Sequence, residues 1–240
     1  MNLSHRACLF LVLGLVFGLG RVSAQDHLEP EVHYPGSERY AADIQQVFAQ
    51  GYASDVILRV LEAPALGVEE VAGIRATKSG YEAFVVSLVT LNSSVSELGF
   101  VRKIKAGEVK GVAPDGTIKG EEHSPYVRVV QETPTSASEF KTKTDAAAIS
   151  PALAKRIAAL WQKMVLDARA PTEIREGFDG VSYLFSSVVE GRGSITAEIW
   201  SPQTESKTGR LVSLGEALAK FARNEISEDK VAEAMAALEQ

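Results

Sequence analysis

Cysteine is nearly missing from this chain: the only one in 240 residues is Cys8. If the N-terminal segment is removed on export, none remains. That excludes disulfides, thiol nucleophiles and every cysteine-based metal site. A chain of this length does not need such staples to bury a core. Histidine is also scarce, with four in all. A basic excess is absent too: 25 Lys and Arg stand against 31 Asp and Glu, for a formal charge of −6. An acidic chain without a basic cluster lacks the electrostatic footprint for nucleic acid or for an anionic membrane surface. After residue 24 no apolar run approaches the ~20 residues needed to span a bilayer. The chain has no Gly-x-Ser-x-Gly, no His-Glu-x-x-His, no phosphate loop and no dinucleotide fingerprint. No cofactor is expected.

The N-terminus has a recognisable pattern. His5 and Arg6 give a short basic start, and Ala7 to Gly20 runs 14 residues without a charge. Val22-Ser23-Ala24 then places small residues at −3 and −1 of a cut before Gln25. This is the layout of a secretory signal peptide over residues 1–24, and it is too short for an anchor. Its removal takes away Arg6 and Arg21 and no acid, which moves the charge from −6 to −8. The expected location is the periplasm or the cell exterior. The absence of cysteine favours a bacterial periplasm, where the Asn92-Ser93-Ser94 glycosylation pattern carries little meaning.

Along the chain, residues 25–36 read as a loose polar leader. Residues 37–132 read as a strand-rich α+β region. It opens with a helix from Ser37, placed as an N-cap, to Gln50. Strands are expected over Asp55–Ala63, Val71–Lys78, Tyr81–Leu91, Val95–Lys103 and Tyr126–Gln131. Tyr81–Leu91 is apolar on both faces, as befits a central strand. Pro114-Asp115-Gly116 supplies a turn for a hairpin over Glu108–Lys119. Residues 133–149, rich in Thr, Ser and Lys, are a candidate linker. Residues 150–240 read as helix, hairpin, helix, helix. Ser150-Pro151 opens an amphipathic helix with Leu153, Ile157, Leu160, Trp161 and Met164 in one stripe. Val181–Val189 and Ser194–Trp200 form the hairpin. Leu211, Leu214, Leu218 and Phe221 mark the next helix, and Ser227 starts the last. The expected fold class is α+β, an antiparallel sheet packed by helices with a C-terminal helix–hairpin–helix–helix unit, in one domain or two.

The first site candidate is the hairpin. With Gly191-Arg192 as a two-residue turn, Leu184, Val188, Ile195 and Ile199 share one face. Tyr183, Phe185, Glu198 and Trp200 share the other, with Ser187 and Thr196. An exposed face of that kind would suit a protein or a sugar. Packed under a helix, it would be a second core layer. Other candidates are weaker. His27, Glu29, Glu31 and His33 are zinc-type ligands but lie in the leader. Ser138-x-x-Lys141 and Lys207-Thr208-Gly209 match two short motifs of penicillin-binding proteins and β-lactamases. The first lies in the linker and the second leads into a helix, which is the wrong context for that chemistry. His123 sits in a loop beside Glu121-Glu122. Acid pairs such as Glu69-Glu70 would serve glycoside chemistry only across a cleft.

These readings make the chain an exported, non-catalytic interaction protein with a protein partner in the cell envelope, of an inhibitor- or immunity-like kind. Two alternatives stand beside it. One is a carrier of an apolar ligand held by Val85, Val86, Leu88 and Val89. The other is an envelope hydrolase using His123 or an acid pair.

Overall fold

The computed structural model describes residues 26–31, 37–65, 67–89, 93–119, 124–170 and 179–240. Residues 1–25, over which a signal peptide is expected, His33, Asn92, Glu121-Glu122 and His123 lie outside them. The elements in chain order are β1 (Glu29–Pro30), α1 (Ser37–Val47), β2 (Val56–Pro64), β3 (Glu70–Thr77), β4 (Gly80–Leu88), α2 (Val95–Lys105), α3 (Pro125–Glu132), β5 (Thr142–Ile149), α4 (Pro151–Leu166), β6 (Val181–Val189), β7 (Gly193–Trp200), α5 (Lys207–Ala222) and α6 (Glu228–Glu239). Two short 3-10 turns, Ala49–Tyr52 and Ala137–Glu139, complete them.

The strands make one antiparallel sheet in the order β1-β7-β6-β2-β3-β4-β5. The fold is α+β, a seven-stranded antiparallel sheet with six helices packed on it. Strands from both halves of the chain meet at the β2–β6 ladder, where Val60 faces Phe185 and Glu62 faces Tyr183. The C-terminal hairpin therefore belongs to the common sheet.

Alternation of side chains divides the core in two. Leu58, Val60, Ala72, Ile74, Ala83, Val85 and Phe185 face α4, α5 and α6. Trp161 of α4 is fully buried there, and its ring meets Phe185 edge-on at 5.1 Å. Leu61, Val71, Phe84, Val86 and Leu88 face the other way, onto α1 and α2. Strand β4 is buried on both faces, as its composition implies: Ala83, Phe84, Val85 and Val86 are all wholly inaccessible. At Gly73 a Cβ would lie 2.2 Å from the Leu58 carbonyl oxygen, so only glycine lets β2 and β3 come together at that point.

Several local expectations change. Val95–Lys105 is a helix rather than a strand. Ser94 and Glu97 form a capping box, in which Ser94 Oγ accepts from Glu97 N and the Glu97 carboxylate accepts from Ser94 N. Val95, Leu98, Val101 and Ile104 then bury one helical stripe. Tyr126–Gln131 is likewise helical. Ser124 caps α3 by accepting from Tyr126 N, with Pro125 in the first turn. The turn at Pro114-Asp115-Gly116 exists, with Gly116 N donating to Ala113 O at 2.8 Å. Among the described residues the pairing beyond it is a single bridge, Val112 to Ile118.

The expected linker ends in an edge strand, because Thr142–Ile149 pairs with β4 along its whole length. The expected loose leader is docked over the residues described. Glu29 and Pro30 pair with Glu198 and Ala197, Leu28 is fully buried, and Arg169 N donates to Leu28 O at 3.0 Å.

The helices of the last third start and stop near the positions read from their caps and stripes. Ser150 Oγ accepts from Leu153 N at 3.4 Å, and Ser150 N donates to Glu228 Oε1 at 3.3 Å. The latter bond ties the start of α4 to the start of α6. Ser227 occupies the N-cap position of α6 without a side-chain bond.

Candidate functional site

The hairpin does not present Tyr183, Phe185, Glu198 and Trp200 on one face. Its loop is Glu190-Gly191-Arg192, closed by Arg192 N donating to Val189 O at 3.0 Å, with Val189 opposite Gly193. Gly191 and Gly193 take φ of +73° and +79°, values that suit glycine. The loop is one residue longer than the two-residue turn expected from Gly191-Arg192. A one-residue shift exchanges the faces of one strand relative to the other. Tyr183 therefore pairs with Ile199, Leu184 with Glu198, Phe185 with Ala197 and Ser182 with Trp200.

Tyr183 and Phe185 point towards α4 and α5, where Phe185 is wholly buried. Glu198 and Trp200 point to the opposite face. Trp200 lies against Gly180, where a Cβ would be 2.7 Å from the indole Nε1 and Cε2. Trp200 is thus packed against its own hairpin base.

The other sequence candidates also separate. Glu69 and Glu70 point to opposite faces. Glu69 is 1% exposed and accepts from Val95 N at 2.8 Å, Ser96 N at 2.9 Å and Tyr40 Oη at 3.3 Å. It is a structural anion at the N-terminus of α2. Burial and the neighbouring Glu69 carboxylate push the Tyr40 hydroxyl far above its ordinary range. Val85 belongs to one core, Val86 and Leu88 to the other, and Val89 is exposed, so these four share no pocket. Among the described residues no three His, Cys, Asp or Glu side chains could hold a metal ion. Ser138 lies in a 3-10 turn and Lys207-Thr208-Gly209 opens α5.

A different cluster does converge. The pairing registers place Ile199, Tyr183, Glu62, Glu70, Ser87 and Lys143 opposite one another in a single row across β7, β6, β2, β3, β4 and β5. This row crosses the α5 face of the sheet. Inside it, at Val60 and Ala72, the sheet is apolar and α5 packs down. A Cβ on Gly215 would already touch Val60 Cγ1 at 3.0 Å. Outside it, Glu216 and Lys220 of α5 and Arg223 at its C-cap follow at helical spacing and overhang the row. Between helix and sheet lies a cavity of about 190 Å³ with an apolar floor of Val60, Ala72 and Val212 and a polar rim.

The charges in this cleft are unevenly satisfied. Arg223 Nη2 binds the Glu70 carboxylate and donates to Ser87 Oγ at 3.0 Å, and Ser87 Oγ donates to Glu70 Oε2 at 2.8 Å. Both bonds to Glu70 fall on its Oε2. Lys220 approaches Glu216 at 3.9 Å, and both are about half exposed. No described side chain or backbone group donates a hydrogen bond to Glu62. Desolvation raises its pKa, and Glu70 and Glu216 raise it further against a smaller lowering by Arg223. Tyr183, beside Glu62 in the row, is pushed up to about 12 by burial, with Glu62 and Glu216 adding to it.

Among the described residues Glu62 thus accepts no hydrogen bond, is repelled by Glu70 and Glu216, and is attracted only through space by Arg223, which bonds to Glu70. A cationic group placed there would relieve that repulsion. No protein-family model, curated protein or solved structure matches this chain.

Proposed function

We propose that this chain is an exported, non-catalytic binding protein that receives a cationic side chain, lysine or arginine, of a protein partner in the cleft between α5 and the polar row of the sheet. The observation that carries the reading is Glu62, which lines the cleft with Glu70 and Glu216 and receives no hydrogen bond from a described residue. Size supports it as well. A cavity of about 190 Å³ is smaller than the ~300 Å³ where small-molecule pockets begin, and it suits the end of one side chain. The apolar floor takes the methylene stem, and the acidic rim takes the charge. Hydrolysis of a glycan would need a groove long enough for sugar rings, and the Glu70 carboxylate would have to leave Arg223 and Ser87 to act. The partner meets the protein in the periplasm or outside the cell, after removal of residues 1–24.

The test uses two short probes, acetyl-Gly-Lys-Gly-amide and its norleucine analogue, titrated against the labelled protein by NMR. The lysine peptide shifts the amides of Glu62, Tyr183, Lys220 and Arg223, and the norleucine peptide does not. Glu62→Gln weakens the binding at least about tenfold, the worth of one charge-assisted hydrogen bond. Equal shifts from both peptides, or none at millimolar peptide, would remove the reading. Native mass spectrometry of the protein isolated from its host's envelope then identifies the partner by mass.

A further inference from the structure

Among the described residues strand β5 has one unpaired edge. It is eight residues long, Thr-Lys-Thr-Asp-Ala-Ala-Ala-Ile, with no proline and no register irregularity against β4. No other described strand pairs with its outer side. Sheets usually protect such an edge with isolated charges, prolines or bulges. Here the two charges offset each other, since Lys143 Nζ and Asp145 Oδ1 are 2.8 Å apart on the same face.

The backbone fixes which groups are offered. Val89 N donates to Lys141 O at 2.9 Å, immediately before the strand. Residues of an antiparallel strand alternate between bonding to one neighbour and to the other. The odd-numbered residues of β5 therefore bond to β4. Thr142, Thr144, Ala146 and Ala148 direct their N–H and C=O groups outward.

We propose that this edge pairs with the same edge of a second copy of the chain, about a two-fold axis at Thr144, to join two seven-stranded sheets. The axis follows from chemistry. Thr144 offers both backbone groups, so Thr144 opposite its counterpart exchanges two hydrogen bonds. Lys143 of each copy then falls opposite Asp145 of the other, and Thr142 opposite Ala146. An axis at Asp145 would set like charges face to face and use a backbone that already bonds inward. An axis at Ala146 would set Lys143 against Ile149 and Asp145 against Ala147. Only the Thr144 axis matches both the charges and the hydrogen bonds, and it is self-complementary, as a two-fold contact must be. Single-strand addition buries little area, so the dimer is weak and dependent on concentration.

Sedimentation velocity across protein concentrations up to ~0.5 mM tests it, a range suited to an interface at the small end of the size scale. The expected result is a reversible monomer–dimer equilibrium. Lys143→Asp and Asp145→Lys each weaken it by more than about tenfold by juxtaposing like charges. The double variant K143D/D145K restores it. Thr144→Pro removes an outward N–H without altering charge and abolishes dimerisation. Circular dichroism at low concentration, where only monomer exists, shows that each variant is folded. A monomer at every concentration would overturn the proposal. So would a dimer that T144P and both single charge reversals leave unchanged.

Discussion

Replacing Leu28 by alanine tests whether residues 26–31 are part of the fold. Leu28 has no exposed surface and packs in the core beneath α4 and α5. Its segment is held by the β1–β7 pairing, by Arg169 N to Leu28 O, and by Lys207 N to Asp26 Oδ1 at 3.2 Å. Leu28→Ala removes three buried carbons, worth roughly 2.4 kcal/mol of transfer free energy at ~0.8 kcal/mol each. An unrelaxed cavity would bring the cost towards the upper part of the ~2–5 kcal/mol range for such changes. Leu28 sits beside β1 at the sheet edge, where neighbours can close in, so a loss of ~2–3 kcal/mol is expected. For a domain of this size each kcal/mol moves Tm by about 2–4 °C. The melting curve by circular dichroism should therefore fall by about 4–12 °C. Pro30→Ser, at an exposed position two residues away, should stay within ~0.5 kcal/mol, as surface changes do. If L28A and P30S melt together, within about 1 °C of the parent, the segment is not docked and the reasoning fails.

Two further outcomes follow from the half-buried Glu62 and the buried Glu69. Glu62 has a folded pKa raised above its ordinary value of 4.5, so the folded state holds this proton more tightly than the unfolded chain does. Stability contributed by this group is then lost as pH rises from 4.5 through the folded value. Glu62→Gln should flatten that part of the profile and make the protein more stable at pH 7; a Gln variant less stable than the parent at pH 7 by urea unfolding would contradict the assignment. Glu69→Gln keeps the shape but loses the charge that receives Val95 N and Ser96 N at the start of α2. It should cost about 2–4 kcal/mol, one or two charge-assisted bonds, and a change below ~0.5 kcal/mol in urea unfolding would show that α2 does not depend on it.

Legibility in the sequence followed the strength of local signals. Strand β4 could be read because both of its faces are apolar, and α4 because Ser150-Pro151 and a clean stripe agree. The same logic was available at Ser94-Val95-Ser96-Glu97 and at Ser124-Pro125. Both segments nevertheless read as strands. A reciprocal cap supplies partners for N–H groups that a helix start leaves open, and the apolar stripe of α2 does the rest. The docked leader left almost no signal, since its burial depends on one leucine meeting a sheet edge formed from distant residues. The hairpin failed for a different reason. Its strands and its turn region were legible, but the loop is one residue longer than expected, and one residue is enough to put Tyr183 and Trp200 on opposite faces.

The cleft follows from the same register dependence. Glu62, Glu70, Ser87 and Tyr183 come from four strands, and no spacing in the sequence links them. What the sequence does carry is parity. In β2, Glu62 continues the series Leu58, Val60, and in β3, Glu70 continues Ile74, Ala72, so each acid occupies a position where alternation calls for a core residue. A charge at core parity near a strand end either meets a partner on a covering element or marks where that element stops covering the sheet. Both happen here. Arg223 comes down from α5 to Glu70, and Glu62, one strand away, is reached by no donor among the described residues. Helix α5 thus supplies a donor to one of two adjacent acids, and the difference between Glu62 and Glu70 is what the proposed binding of a cation rests on.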